Sequence, residues 1–351
     1  MRGVVFAGDR RIELMEFPDP TPGADEVVLE MKASGMCGSD LHQYRRSAAG
    51  GGANATGLPP NPNPVIGGHE PCGVVVARGA SVDERAAHIG ARVMVHHYQG
   101  CTQCQHCRSG WQQLCQTVPV KVYGNNSHGG HARYIKVPAN TLVALPDALT
   151  YETGAAISCG TGTAYSALRR MNLSGNDTIA IYGQGPVGLS GTQLAKAMGA
   201  KVIALDISHE RLARAKEFGA DAVVNPREAD PVEAIRDLTH GMYADLTLDT
   251  SSSPEARLQA IRSTKVWGTM CFVGEGGDVH IDVSPHLLRR QLTLIASWTF
   301  STIIQEECAR FVVDRNIAVD RLFTDRWQLD QAEEAYRKFD TQTTGKGVFL
   351  M

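Results

Sequence analysis

Residues 178–206 read TIAIYGQGPVGLSGTQLAKAMGAKVIALD, and this stretch decides the architecture. A β-rich apolar run at 178–182 leads into a turn at 183–188. A helical pattern follows at 189–198 and stops at Gly199, and 201–206 forms a second β run. Gly183, Gly185 and Gly188 make Gly-x-Gly-x-x-Gly at a strand-to-helix junction, where missing side chains let a pyrophosphate approach the backbone amides of a helix amino terminus. Pro186 and Val187, between the second and third glycines, belong to the same cofactor-binding turn. Asp206 ends the next strand, 23 residues beyond Gly183, placed to accept hydrogen bonds from both ribose hydroxyls. An acid there repels a 2′-phosphate and favours NAD over NADP; Arg211 tempers this preference from beside the adenosine. The alternative is a tight glycine turn with a solvent-facing Asp. Strand, helix and acid in one unit select the dinucleotide site.

Working outward, further β runs at 222–225, 245–249, 269–273 and 292–296 alternate with helical patterns such as 210–218. Five or six strands then complete a doubly wound parallel sheet, an α/β Rossmann domain over 151–296. The first 150 residues differ in texture. Short β runs at 27–31, 73–76, 92–96 and 134–137 are separated by Gly, Pro and Asn, which describes a β-rich domain. After 297, helical patterns at 303–314 and 331–339 and a last run at 347–351 are too little to fold alone, so 297–351 is expected to return to the first domain. The segment 47–64, rich in Ala, Gly, Asn and Pro, reads as an exposed loop, either a surface insertion or a gate over substrate.

Composition narrows the function. The chain has 351 residues, enough for two domains of about 150 each. Thirty-four Lys and Arg against 37 Asp and Glu leave a charge of −3, with no basic field for nucleic acid. Apolar stretches fall short of the roughly 18 residues a membrane span needs. Asp9, Arg10 and Arg11 interrupt the amino terminus before an export signal forms, and the reading is cytoplasmic. The cysteine count is nine, and four of them lie within 101–115, a pattern of metal ligands in a reducing compartment.

Cys101, Cys104, Cys107 and Cys115 follow Cys-x2-Cys-x2-Cys-x7-Cys, which lets one loop wrap four thiolates around a tetrahedral zinc. Four thiolates close the coordination shell, so that site is structural, with His106 solvent-facing rather than a ligand. A scattered set comprises Cys37 in GMCGSDLH (35–42), His69 in GGHE (67–70) and Cys159 in SCGTG (158–162). Two thiolates and one imidazole leave zinc an open fourth position, the arrangement of a catalytic site. By spacing alone each of the three is equally an ordinary buried Cys or surface His. Cys72, Cys271 and Cys308 sit in apolar runs and read as small core residues.

With these motifs in this order over nearly the whole chain, the sequence resembles the zinc-dependent alcohol dehydrogenases of the medium-chain dehydrogenase/reductase family. The resemblance implies a GroES-like β-rich catalytic domain interrupted by a Rossmann domain. It implies Cys37, His69 and Cys159 as catalytic zinc ligands, Ser39 as the hydroxyl that handles the substrate proton, and His42 as a later member of the relay. Asp40 becomes the carboxylate that orients His69, and Glu70 a residue beside the metal that can enter its coordination sphere. The cofactors are NAD and two zinc ions per chain, one catalytic and one structural. The substrate is a small primary or secondary alcohol or its carbonyl counterpart, and the assembly a homodimer or homotetramer with Trp298 near the subunit seam. A polyol dehydrogenase or aldehyde reductase of the same family is the alternative.

Three features depart from the family pattern. Cys37 and His69 are 32 positions apart because the 47–64 loop lies between them. His131 and Arg133 in GGHARY (129–134) replace an aromatic and an acidic residue. Cys159 stands where the sugar-alcohol enzymes commonly carry an acidic ligand, which weighs against a polyol enzyme.

Overall fold

The glycine turn dictates the geometry around it. In a computed structural model of the chain, Thr178–Tyr182 is a strand that enters Gly183 at φ 90°, a left-handed conformation that glycine adopts without a Cβ penalty. The helix that follows spans Pro186–Ala197, beginning three residues before the predicted 189. Proline at the first helical position explains the early start: its φ is already helical, and the N–H it lacks would have had no partner. A Cβ on Gly188 would collide with the carbonyl of Gly183, so the helix can lie this close to the strand only with glycine there.

The structure describes residues 1–47, 63–342 and 345–351; of the 47–64 segment, with its expected gating role, 48–62 lie outside the described residues. The described chain divides into two units, one of Met1–Gly162, Phe300–Gln342 and Lys346–Met351, the other centred on Thr163–Thr299.

In the second unit six parallel strands run third-second-first-fourth-fifth-sixth in chain order: Thr178–Tyr182, Lys201–Leu205, Ala222–Val224, Ala244–Asp249, Thr264–Phe272 and Thr293–Ala296. This is the doubly wound order, whose switch point lies at the carboxyl end of the first strand, where the glycine turn sits. The fifth strand is longer than the predicted 269–273. It starts at Thr264 and carries an irregularity at Trp267, φ 64°, where the register to the fourth strand shifts. Ala180, Tyr182, Ile203, Leu205 and Met270 pack in its core.

In the first unit Glu26–Gly35 is central. It pairs antiparallel with Glu70–Arg78, with Tyr134–Pro138 and with the tail strand Lys346–Leu350. Val27, Leu29, Met31, Val75, Val95, Ile135 and Val137 are buried together, each worth about 1.5–3 kcal/mol on removal from water. Helix Tyr151–Ile157, capped by Thr150 accepting from the Thr153 amide, packs on this sheet. Its small residues permit close approach, since a Cβ on Gly154 would strike the Cys72 sulfur. The helix therefore lies in the first unit, although the sequence texture changes at 151, and it brings Cys159 with it. Among the described residues no helix is long and apolar enough to cross a membrane.

Candidate functional site

Two neighbouring strands deliver the scattered residues to one place. Gly35 and Glu70 are register partners, so Cys37, two residues past the end of Glu26–Gly35, and His69, one residue before Glu70–Arg78, leave from the same end of the sheet. A Cβ on Gly35 would overlap the Glu70 carboxylate, which occupies that space. Cys159 arrives from the break between helices Tyr151–Ile157 and Gly160–Arg170. One ligand atom from each of Cys37, His69, Glu70 and Cys159 lies within 4.8 Å of all the others. The Cys37 and Cys159 sulfurs are 3.9 Å apart, far beyond a disulfide bond but close to the edge of about 3.8 Å of a tetrahedron with Zn–S bonds of ~2.3 Å.

The protonation chemistry of this set suits a cation. A hydrogen bond from Cys159 pulls the Cys37 thiol well below its usual range against the effect of burial, with His69 adding to the pull. The same bond pushes Cys159 well above it. One contact between the two sulfurs thus moves them in opposite directions. Burial opposes charge on His69, yet Asp40 and the Cys37 thiolate hold it well above the ordinary histidine range. These are protons that a metal displaces, since thiolate and neutral imidazole are the binding forms. Glu70 is fully buried, and its Oε2 has no hydrogen-bond partner among the described residues; the other oxygen accepts from Lys346 Nζ at 2.6 Å. Burial pushes the Glu70 carboxyl up to about 8 even beside that ammonium. A buried carboxylate with one orphaned oxygen, grouped with two sulfurs and an imidazole, fits a cation among them.

Around this set the short helix Asp40–Arg45 places three residues. Ser39 precedes it but makes no side-chain cap, and its Oγ lies 3.2 Å from His69 Nε2. Asp40, fully buried, accepts from His69 Nδ1 at 2.8 Å and from the Cys37 amide at 2.9 Å. Because the carboxylate only accepts, Nδ1 holds a proton and Nε2 is the ring atom aimed at the donor set. His42 is exposed on the same helix.

The cysteine lobe assembles separately. Cys101, Cys104, Cys107 and Cys115 also form a group within 4.8 Å, with sulfur separations of 3.9 Å for Cys101 to Cys107 and 4.0 Å for Cys104 to Cys115. The Cys104 amide donates to the Cys101 sulfur and the Cys101 amide to the Cys115 sulfur. Against its desolvation, backbone donors bring Cys115 down to about 6. His106 is half-buried and stands outside the group. Replacing Cys104 by serine is expected to lower the melting temperature by on the order of 10 °C and the metal content by one per chain. Calorimetry with elemental analysis checks this, and wild-type melting with two metals bound would show the ligand set to be wrong.

In the second unit Gly185 caps helix Pro186–Ala197, and a Cβ there would meet nothing within 4 Å, leaving the helix amino terminus open. Asp206 accepts from the Gln184 amide at 2.7 Å and the Ser208 amide at 2.9 Å, which ties it to the glycine turn. Arg211 Nη1 is 3.7 Å from the Asp206 carboxylate. Gln184, Gly185, Pro186, Leu189, Glu210, Arg211 and Arg214 line a pocket here, and Val187 is half-buried in the turn.

Several residues of the site escape a reading of the sequence. Lys346 is the lone charge in a buried tail strand, KGVFL, and that mismatch was its only signal. His96 and His97, consecutive and buried, follow strand Arg92–Val95; the His97 ring lies 5.1 Å from that of His69, and its Nδ1 donates to the Ser158 carbonyl. Of the unusual pair in 129–134, His131 is fully buried and bonded to Ser34 and Tyr336, whereas Arg133 is exposed near Glu30.

Comparison with known proteins agrees with both halves. Residues 23–147 match the alcohol dehydrogenase GroES-like domain and residues 186–315 the zinc-binding dehydrogenase domain. The zinc-type alcohol dehydrogenase-like protein YphC of Escherichia coli is 40% identical over 357 residues, covering 99% of this chain and 98% of its own. Sorbitol dehydrogenase of Bacillus subtilis is 30% identical over 340 residues, covering 96% and 93%. Among solved structures, alcohol dehydrogenase TADH from Thermus sp. ATN1 superimposes with a TM-score of 0.89 at 26% identity, over 100% of this chain and 99% of that one. Identity of this order along nearly the full length of both chains leaves one conclusion: the chain belongs to the zinc-dependent alcohol dehydrogenases of the medium-chain dehydrogenase/reductase family.

Proposed function

We propose that the protein transfers a hydride reversibly between a primary or secondary alcohol and NAD, giving an aldehyde or ketone. In this reading Cys37, His69 and Cys159 hold a catalytic zinc, with Glu70 able to enter its coordination, and Cys101, Cys104, Cys107 and Cys115 hold a structural one. The observation that carries it is the convergence of two cysteines, a histidine and a carboxylate within 4.8 Å, with the Ser39 hydroxyl 3.2 Å from the histidine Nε2. When bound, zinc supplies a Lewis acid for the substrate oxygen and NAD supplies the hydride acceptor. The chain's own residues manage the proton. Ser39 Oγ accepts it from the substrate hydroxyl, and His42, exposed on the following helix, passes it to solvent. Asp40 fixes the ring of His69 throughout.

Asp206, Gly183, Gly185, Pro186, Val187 and Gly188 bind the nucleotide. The Asp206 carboxylate disfavours a 2′-phosphate, and Arg211 at 3.7 Å offsets part of its charge, so NAD is preferred without being exclusive. The protein acts in the cytoplasm as a homodimer or homotetramer, paired through the edge strand Thr293–Ala296, with Trp298 exposed just beyond it. The similarity to a sorbitol dehydrogenase favours a second reading, a polyol as substrate, against which stands a cysteine at 159.

A panel of primary, secondary, cyclic and polyhydroxylated alcohols, scored by nicotinamide reduction before and after chelation, tests both. Simple alcohols with NAD are expected to turn over about tenfold or more faster than with NADP, with activity lost on chelation and restored by zinc. A profile confined to polyols selects the second reading. Turnover that survives complete metal removal overturns both.

A further inference from the structure

We infer that Tyr336 and His131 are positioning residues for the metal centre: a buried hydrogen-bond chain runs from Ser34 through His131 and Tyr336 to Asp40 and fixes the orientation of His69. This rests on the reading that Cys37, His69, Glu70 and Cys159 hold a metal ion.

The chain has four bonds. Ser34 Oγ and His131 Nδ1 are 2.8 Å apart, His131 Nε2 and Tyr336 OH 2.7 Å, Tyr336 OH and Asp40 Oδ2 3.2 Å, and Asp40 Oδ1 and His69 Nδ1 2.8 Å. Ser34, His131, Tyr336 and Asp40 are all 0% exposed, so no solvent competes for these groups. Their protons can be placed one by one. The Asp40 carboxylate only accepts, so Tyr336 spends its single proton on it. The phenol oxygen must then accept from His131, which puts the ring proton on Nε2. Burial keeps that ring neutral, so Nδ1 is an acceptor and the serine hydroxyl donates to it. Every bond in the chain points toward Asp40.

The chain is also braced sterically. Gly68, at φ 84°, lies on the imidazole of His131, which a Cβ there would strike, and the His131 amide donates to the Gly67 carbonyl. The backbone leading into His69 thus rests on the same ring that orients Tyr336. The Tyr336 ring meets Phe6 edge-on at 4.9 Å, and that of His131 meets Phe349 at 4.7 Å. Helix Ala332–Asp340, more than two hundred residues from the first ligands, reaches the centre through one hydroxyl.

The test is metal release from the zinc-loaded protein into a colorimetric chelator, with the phase missing in Cys37→Ala identifying the mixed site. Tyr336→Phe, which keeps the ring and loses both bonds, is expected to speed that phase about ten- to a hundredfold while the four-cysteine phase stays unchanged and the melting temperature falls by only a few degrees, the cost of orphaning one buried N–H. His131→Phe should show the same acceleration. His131→Gln, whose amide can donate to Tyr336 and accept from Ser34, should restore release to within about threefold of wild type. Release from Tyr336→Phe at the wild-type rate overturns the inference, as does equal acceleration of both phases. Wild-type protein that holds only the four-cysteine metal overturns instead the metal reading beneath it.

Discussion

Replacement of Cys37 by alanine is expected to strip one zinc ion from each chain and to depress turnover by more than about a thousandfold. In the proposed ligand set Cys37 is one of the two thiolates. Its sulfur lies 3.9 Å from that of Cys159, whereas its backbone amide, which the substitution keeps, still donates to Asp40. Deleting the sulfur leaves one thiol, an imidazole and a buried carboxylate, and Lys346 is then the strongest remaining partner for Glu70. Elemental analysis should find the four-cysteine metal retained, because that lobe is assembled from residues 101–115 alone. Two metals per chain together with activity within tenfold of wild type would remove Cys37 from the ligand set.

Ser39→Ala should lower kcat by about a hundred- to a thousandfold while leaving both metals bound and the affinity for NAD unchanged. The substitution is unusually clean. Serine at a helix start normally contributes about 1 kcal/mol as a cap, but this side chain makes no capping bond and turns instead to His69 Nε2 at 3.2 Å. A stability loss is therefore not the expected cause of lost turnover. Ser39→Thr, which keeps a hydroxyl, should retain most of the activity. Near-normal kcat in the alanine variant, measured with saturating alcohol, would count against the proton relay.

What the sequence discloses tracks how local each feature is. The strand, glycine turn, helix and following acid of 178–206 are one contiguous unit, and the structure differs from its reading mainly in starting the helix at Pro186. The four-cysteine lobe is as compact. Helices Pro231–Leu238 and Pro254–Ser263 carry a local signal of the same kind, a capping Asp230 or Ser253 before a first-position proline. The mixed donor set is a different matter. Cys37 and Cys159 are 122 positions apart and meet only because a helix of small residues packs on the sheet beside them, so spacing cannot reveal them and the resemblance to a family had to. Tyr336 and Lys346 are more remote still, 296 and 276 positions from Asp40 and Glu70. No periodicity encodes those contacts. His131 stood out as a residue out of place, but its purpose is defined by two partners in distant segments.

The pairing of Lys346–Leu350 with Glu26–Gly35 has a consequence for the order of folding. The ammonium that meets the Glu70 carboxylate and the Met36 carbonyl comes from a strand 276 positions after that carboxylate. Closing so wide a loop is slow, and until it closes the acid at the heart of the donor set has no cation of the chain's own to balance it.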